Sequence, residues 1–473
     1  MSQDFLETCL IYFPIYNSTI ANTHSEEEQV LLSAPVNGKR KVSAALLSPP
    51  STQGSISSSS GSTGSASVRI RPGIAQIPFD LPESDKSVAA VEFCGFTRTR
   101  AGEIFGRWAG KQVQNPYSLV DFMIGEIDNL NLEPLVSMER SEAMVLLGIS
   151  EELRTALTLP KFTAIWRSER AHFWLVDTVK MRYHTLQTLL AKLKNCAVET
   201  IRQRKTWGQG KRAKVAGAFD PAGASSSSTP ASQQPPSNFS AIVSSKSNTL
   251  PSAYVVVQSP PTIRPDHYVY YKGKSAAQLM AGPNGDNLIL EDGSINMDAI
   301  ESFRGGDFNM RDQAWYFSTE EGTAEQYRQY QIARDTRAET WIVRISLPKS
   351  FVDGLKKKEI WYSADFKQFV WYCRNKGNKG KPVPSKFDDW LPSGGAQFIE
   401  GHICFRDEDF MTGLKKEDVQ QHISESDLMY NGNKKATQSV FVDLNLRERL
   451  NELLRGNIYV EIFSPVDTPY GSM

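Results

Sequence analysis

Apolar residues recur in steps of three and four through much of the N-terminal half, and in short continuous or alternating runs through the C-terminal half. The first spacing lines one face of a helix; the second suits strands. Helical spacing covers residues 103–108 and 119–130, and Ser118 is placed to cap the second segment by accepting a free backbone N–H. Ser150 followed by Glu151 and Glu152 marks another start, since the helix dipole favours acids in a first turn. The longest stripe runs from Ala171 to about Arg204 through Val176, Val179, Tyr183, Leu186, Leu190, Leu193 and Ala197. Its three heptads are the minimum for a coiled coil. A long helix packed on its own bundle is the simpler expectation.

Beyond residue 262 the pattern alternates. Strands are expected over 268–271, 314–318, 340–347, 397–405, 439–443 and 458–463, rich in β-branched and aromatic residues. Helices are expected over 296–303, 323–333 and 444–454, with a short turn or helix between Pro348 and Gly354. The irregular order predicts an α+β class rather than βαβ repeats. Two stretches carry no period at all. Twelve of the seventeen residues from 51 to 67 are serine or glycine, and 222–240 is built of serine, proline, glutamine and alanine. Such composition cannot bury enough apolar surface to offset the entropy of ordering. The expected division is a mostly disordered tail (1–78), a helical domain (79–205), a disordered basic and Ser/Pro-rich linker (206–262) and an α+β domain (263–467).

Composition adds mainly exclusions. With 40% hydrophobic and 22% charged residues over 473 positions, the chain is neither a disordered polyelectrolyte nor a polytopic membrane protein. Lys plus Arg equals Asp plus Glu, 53 against 53, so net charge points to no partner. Five cysteines are scattered singly, which suits a reducing compartment and predicts no metal site. The only N-terminal apolar run, residues 9–16, is short, is broken by Pro14 and lacks a basic flank, so no secretion signal and no membrane contact are expected. A cytoplasmic or nuclear location follows. Between Phe173 and Lys214 there are ten lysines and arginines, densest at Arg202, Arg204, Lys205, Lys211, Arg212 and Lys214. Two short basic clusters in this arrangement fit a solvated helix end, a nuclear-import signal or a nucleic-acid contact.

Motifs of the common enzyme classes are missing: no GxGxxG after a strand, no GxxxxGK[ST], no HExxH and no GxSxG. What remains is a sequence of weak signals in one order. Tyr270-Tyr271-Lys272-Gly273-Lys274-Ser275 is followed by Gly306-Asp307-Phe308, then by Ala314-Trp315-Tyr316-Phe317-Ser318-Thr319 and a helix bearing Ala324 and Tyr327. Further on come Phe398-Ile399-Glu400-Gly401 and Gln438-Ser439-Val440-Phe441. This order resembles the ADP-ribosyltransferase-like fold, in particular its toxin-like members, over most of 266–455. The resemblance implies two small sheets around a cleft that holds NAD. It implies a first motif at Tyr271, Lys272 and Gly273, and a second at Tyr316, Ser318 and Thr319. A late glutamate in the family stabilises the oxocarbenium-like state as nicotinamide leaves. Two departures weaken the catalytic implication. Lys272 stands where the family has histidine or arginine, and Gln438 stands near the glutamate position, leaving Glu359, Asp365 or Glu400 as the carboxylates to consider.

The functional expectation is therefore an intracellular interaction or regulatory protein with a non-catalytic transferase-like domain, a protein partner and no cofactor. An active NAD-dependent ADP-ribosyltransferase is the alternative, and a nuclear nucleic-acid-associated factor the second alternative. A further aromatic patch, Ile360-Trp361-Tyr362 and Phe369-Val370-Trp371-Tyr372, fits a core edge better than a recognition surface.

Overall fold

The computed structural model describes residues 35–42, 66–71, 78–111, 117–129, 138–216, 254–280, 287–290, 294–302, 305–310, 312–378 and 381–465, with side chains of the long helix described to Asn195. The α+β class expected from the sequence is the one observed. Strands are β1 (Lys39–Val42), β2 (Ala66–Arg71), β3 (Phe79–Pro82), β4 (Tyr254–Val256), β5 (His267–Ser275), β6 (Trp315–Phe317) and β7 (Thr340–Pro348). They continue as β8 (Lys357–Ile360), β9 (Phe398–His402), β10 (Tyr430–Asn431), β11 (Lys434–Lys435), β12 (Thr437–Phe441) and β13 (Ile458–Phe463). The helices of the N-terminal half are α1 (Val88–Phe93), α2 (Arg98–Lys111), α3 (Leu119–Asp128), α4 (Arg140–Leu146), α5 (Glu151–Leu157), α6 (Thr163–Ser168) and α7 (Ala171–Ala216). Those of the second half are α8 (Ala276–Met280), α9 (Glu321–Arg334), α10 (Lys349–Asp353), α11 (Ala364–Arg374), α12 (Glu408–Gly413), α13 (Val419–His422) and α14 (Arg447–Leu454).

Helix starts follow local chemistry. Ser118 and Ser150 accept the backbone N–H of Asp121 and Leu153, three residues on in each case. The stripe on α7 packs inside the molecule. Val179 and Tyr183 join a core with α1 to α6, while Leu186 and Leu189 meet Val42, Leu81, Ala90 and Phe93 beneath the two-stranded β1–β3 sheet.

Two sheets organise the second half. Five strands run β4-β2-β13-β7-β5 and four run β6-β12-β9-β8. Their facing sides share one core that includes Tyr270, Val343, Ile345 and Val460 from the first sheet and Trp315, Phe317, Phe398 and Phe441 from the second. The outer face of the four-stranded sheet is covered by α11, whose Phe366, Phe369 and Val370 pack with Ile399 and Val440. Most of the aromatic patch is thus core, while Trp361 stays 41% exposed beside His402. On the far side of the five-stranded sheet lies α9, between that sheet and the helical half.

Three boundaries differ from the sequence expectation. The 1–78 segment contributes β1 and β2, the 206–262 segment contributes β4, and α7 runs through Gly208 and Gly210 to Ala216. For β2 and β4 the reason is non-local pairing. β2 lies parallel to β13, almost four hundred positions later, buries Ala66 and Val68, and bonds Arg69 to Glu461. The basic positions 202–214 lie on the backbone of α7, and their side chains fall outside the described residues, as does all of 217–253.

Nor are the helical and α+β halves separate domains. Tyr330, Ala333, Ile403, Met429 and Ala436 from the second half belong to the core of α1–α7. Polar latches reinforce it. Arg182, 1% exposed, donates to the Arg334 carbonyl at 2.8 and 2.6 Å, and Arg334 donates to Asp177 at 2.7 Å. The acid run Asp407-Glu408-Asp409, which reads as a solvated loop, is instead structural. Asp407 caps α12 and pairs with Arg140, and Asp409 accepts from Arg170 at 2.9 Å. Among the described residues no helix is long and apolar enough to cross a membrane.

Candidate functional site

The two motifs singled out in the sequence do meet. Tyr271 and Ser318 exchange both backbone bonds, N–H to carbonyl at 2.7 and 2.9 Å, so the edge strand β5 of one sheet is tied to the end of β6 in the other. Tyr271, Lys272, Gly273, Tyr316, Ser318 and Thr319 therefore sit around one junction. The side chains of Lys272, Tyr316, Ser318 and Thr319, however, are engaged with the protein itself.

Lys272 is 9% exposed; its Nζ donates to the Tyr316 carbonyl at 2.9 Å and to Ser302 Oγ at 3.3 Å, with the Phe317 ring 5.5 Å away. Burial, and secondarily the neighbouring Lys274 charge, push its ammonium well below the ordinary lysine value. A buried amine without a carboxylate among these contacts is poorly suited to meet a phosphate. Gly273 is explained by packing. A Cβ there would stand 2.0 Å from the Ala324 carbonyl oxygen and 2.9 Å from Arg328 N, so glycine lets α9 lie directly on β5. Tyr316 points into the opposite core. Its hydroxyl donates to Asn309 Oδ1 at 2.8 Å and accepts the Phe308 N–H at 2.9 Å, which fixes the 305–310 loop.

Sequence reasoning missed the carboxylate at this junction. Glu320 directly follows Ser318-Thr319 and accepts from Ser318 Oγ at 2.6 Å, Thr437 Oγ1 at 2.6 Å and Thr323 Oγ1 at 3.2 Å. Thr319 Oγ1 lies 3.0 Å from Thr437 Oγ1. A ring of hydroxyls thus binds the starts of α9 and β12 together. The adjacency to the second motif was the available signal.

The three carboxylates considered from the sequence are elsewhere. Glu359 and Glu400 share Lys357, Glu400 also accepts from Ser439 at 3.3 Å, and Asp365 pairs with Lys386 at the start of α11. Gln438 points away from the junction and donates to buried Asp307 at 2.7 Å and to the His402 carbonyl at 2.8 Å. Among the described residues the space between the facing sheets is filled by aromatic rings. Tyr270 is ringed by Phe317, Phe398 and Phe441, with centroids 6.0–6.5 Å from its own.

The chain matches no family model, no curated protein and no solved structure.

Behind the junction lies a buried charged cluster. Asp307, 1% exposed, accepts from Arg374 Nε at 2.7 Å, Cys404 N at 2.9 Å and Gln438. Arg374 reaches on to the carbonyls of Ser168 and Arg406, and lies 3.9 Å from Glu169. Burial pushes the Glu169 carboxyl up from 4.5 to about 7, against the pull of Arg374, with Asp307 and Glu408 adding to the rise. A raised folded-state value means that the native protein holds this proton more tightly than the unfolded chain. The contribution of Glu169 to stability is accordingly favourable at low pH and falls as pH climbs from 4.5 to about 7. Glu169→Gln should gain on the wild type in melting temperature across that interval; two parallel curves would refute the shift.

A cavity of about 450 Å³ opens elsewhere, where α4, α6 and the start of α7 face residues 406–410. Its volume is in the range of small-molecule sites. It is lined by Arg140, Arg167, Arg170 and Arg406, with Trp166 and Phe410.

Proposed function

We propose that this protein is an interaction or regulatory protein whose C-terminal half resembles the ADP-ribosyltransferase fold without catalysing transfer. What supports the reading is the use to which the would-be NAD residues are put. Lys272 is bonded to a main-chain carbonyl, Gly273 is covered by α9, and Tyr270 with three phenylalanines fills the space between the sheets. Lys272, Tyr316 and Ser318 spend their donors on the protein itself, and turning them to a dinucleotide would leave buried polar atoms unpaired. The extensive shared core of the two halves supports one rigid body presenting surfaces rather than a mobile catalytic domain.

One observation favours the alternative of an active NAD-dependent enzyme: Glu320, beside Ser318, Thr319 and Thr437, is a carboxylate at the sheet junction. The two readings part on a direct assay. Full-length protein incubated with labelled NAD should show neither auto-modification nor release of nicotinamide. Transfer that disappears in Glu320→Gln would establish the transferase and give it its carboxylate.

A further inference from the structure

The arginine-lined cavity takes no part in the sheet junction, and its chemistry points to a ligand of its own. Its walls come from both halves of the chain, α4, α6 and α7 on one side and the loop into α12 on the other. The acids on the wall are already occupied. Glu139 accepts the Ser141 N–H at 2.7 Å at the start of α4, Asp407 accepts the Phe410 N–H at 2.8 Å at the start of α12, and Asp409 accepts from Arg170. Beyond their pairings the arginines keep unused donors. A guanidinium has five N–H donors and no acceptor, so four of them bring roughly twenty donors to one hollow. Arg140 meets Asp407 and Arg406 meets Asp427 at 2.6 Å. Exposed Arg167 makes no ion pair among the described residues and lies 5.9 Å from the Phe405 ring.

Two more features narrow the ligand. Arg140 sits 5.7 Å from the Trp166 ring and Arg406 4.5 Å from the Phe410 ring, so the guanidinium planes are held against aromatic faces rather than left to swing. Fixed planar forks match phosphate oxygens two at a time, which a lysine cluster does not do. Arg170 meets half-exposed Asp409 at 2.9 Å and Glu408 at 4.0 Å, and Asp409 is the carboxylate an incoming phosphate would displace, whereas Asp407 remains as the cap of α12. We propose that this cavity binds a small phosphate-bearing molecule, held by Arg167 and Arg170 and flanked by Arg140 and Arg406. Because the walls belong to both halves, the bound ligand would also strengthen their contact, by RT ln(1 + [L]/Kd).

Calorimetric titration of the full-length protein with inorganic pyrophosphate and with ATP tests this. Binding is expected for both, weakened about tenfold or more in Arg167→Ala, since a charge-assisted hydrogen bond contributes roughly 1.5–3 kcal/mol. Arg167 is exposed and makes no ion pair among the described residues, so this variant keeps the fold; Lys349→Ala, an exposed cation against the Tyr268 ring and outside the cavity lining, should bind like the wild type. Tighter binding of ATP than of pyrophosphate would mean that Trp166 or Phe410 also reads the base, while equal binding would mean that the phosphates alone are held. Absence of binding by both probes overturns the proposal. So does binding that Arg167→Ala and Arg170→Ala leave unchanged. Neither failure touches the reading of the sheet junction, which NAD transfer alone decides.

Discussion

Asp307→Ala is expected to destabilise the protein by about 3–5 kcal/mol, the range for removing one partner of a buried ion pair. The loss is large because three donors depend on this carboxylate. Arg374 would keep its charge in an interior that cannot solvate it, and the Cys404 N–H and the Gln438 amide would lose their acceptor. Arg374 also holds the Ser168 carbonyl of the helical half, so the damage should spread across the contact between halves. Urea denaturation of the full chain would show it as a fall in midpoint. Asp307→Asn should cost less, because an amide oxygen still accepts the Cys404 N–H while the charge of Arg374 goes uncompensated. Adding Arg374→Met to Asp307→Ala should recover part of the loss, since an apolar pair avoids the stranded charge. A cost below about 1 kcal/mol for Asp307→Ala would mean that water reaches the site and that the latch has been misjudged.

The second large effect is expected at Gly273. Alanine there would place its Cβ 2.0 Å from the Ala324 carbonyl oxygen, and that oxygen belongs to the backbone of α9, not to a side chain that can swing aside. Either α9 or β5 must move. Overpacking of this kind costs about 1–3 kcal/mol and occasionally more, well above the 0.4–1 kcal/mol or so that alanine gains by restricting the unfolded chain. The result separates two roles for the glycine. Were Gly273 there to admit a ligand, alanine would leave the melting temperature unchanged and harm only binding. A melting temperature lowered in the absence of any ligand assigns the glycine to helix–strand packing.

The resemblance to a transferase looks different once these contacts are known. Tyr271 and Ser318 meet, Lys272 and Tyr316 spend their polar groups on internal contacts, and Glu320 is a carboxylate at the junction. The basic positions 202–214 gain no support from α7 beyond its continuous backbone.

What the sequence determined was local. The caps at Ser118 and Ser150, the apolar stripe of α7, and strands such as β7 and β13 follow from residue type and spacing over one or two turns of chain. The same spacing made the α+β class readable. What it left open was everything set by partners distant in the chain. Ala66–Arg71, flanked by serine-rich sequence, is a strand because β13 pairs with it and buries Ala66 and Val68. Asp407-Glu408-Asp409 has the composition of a solvated loop, and only the approach of Arg140 and Arg170 makes it a clamp. Lys272 carries the residue type of a phosphate contact and Gly273 that of a close approach, but both roles were decided by what packs over β5. Periodicity reports which face of an element is apolar; it carries no information about which element will cover that face, and burial, pairing and charge state all depend on the cover.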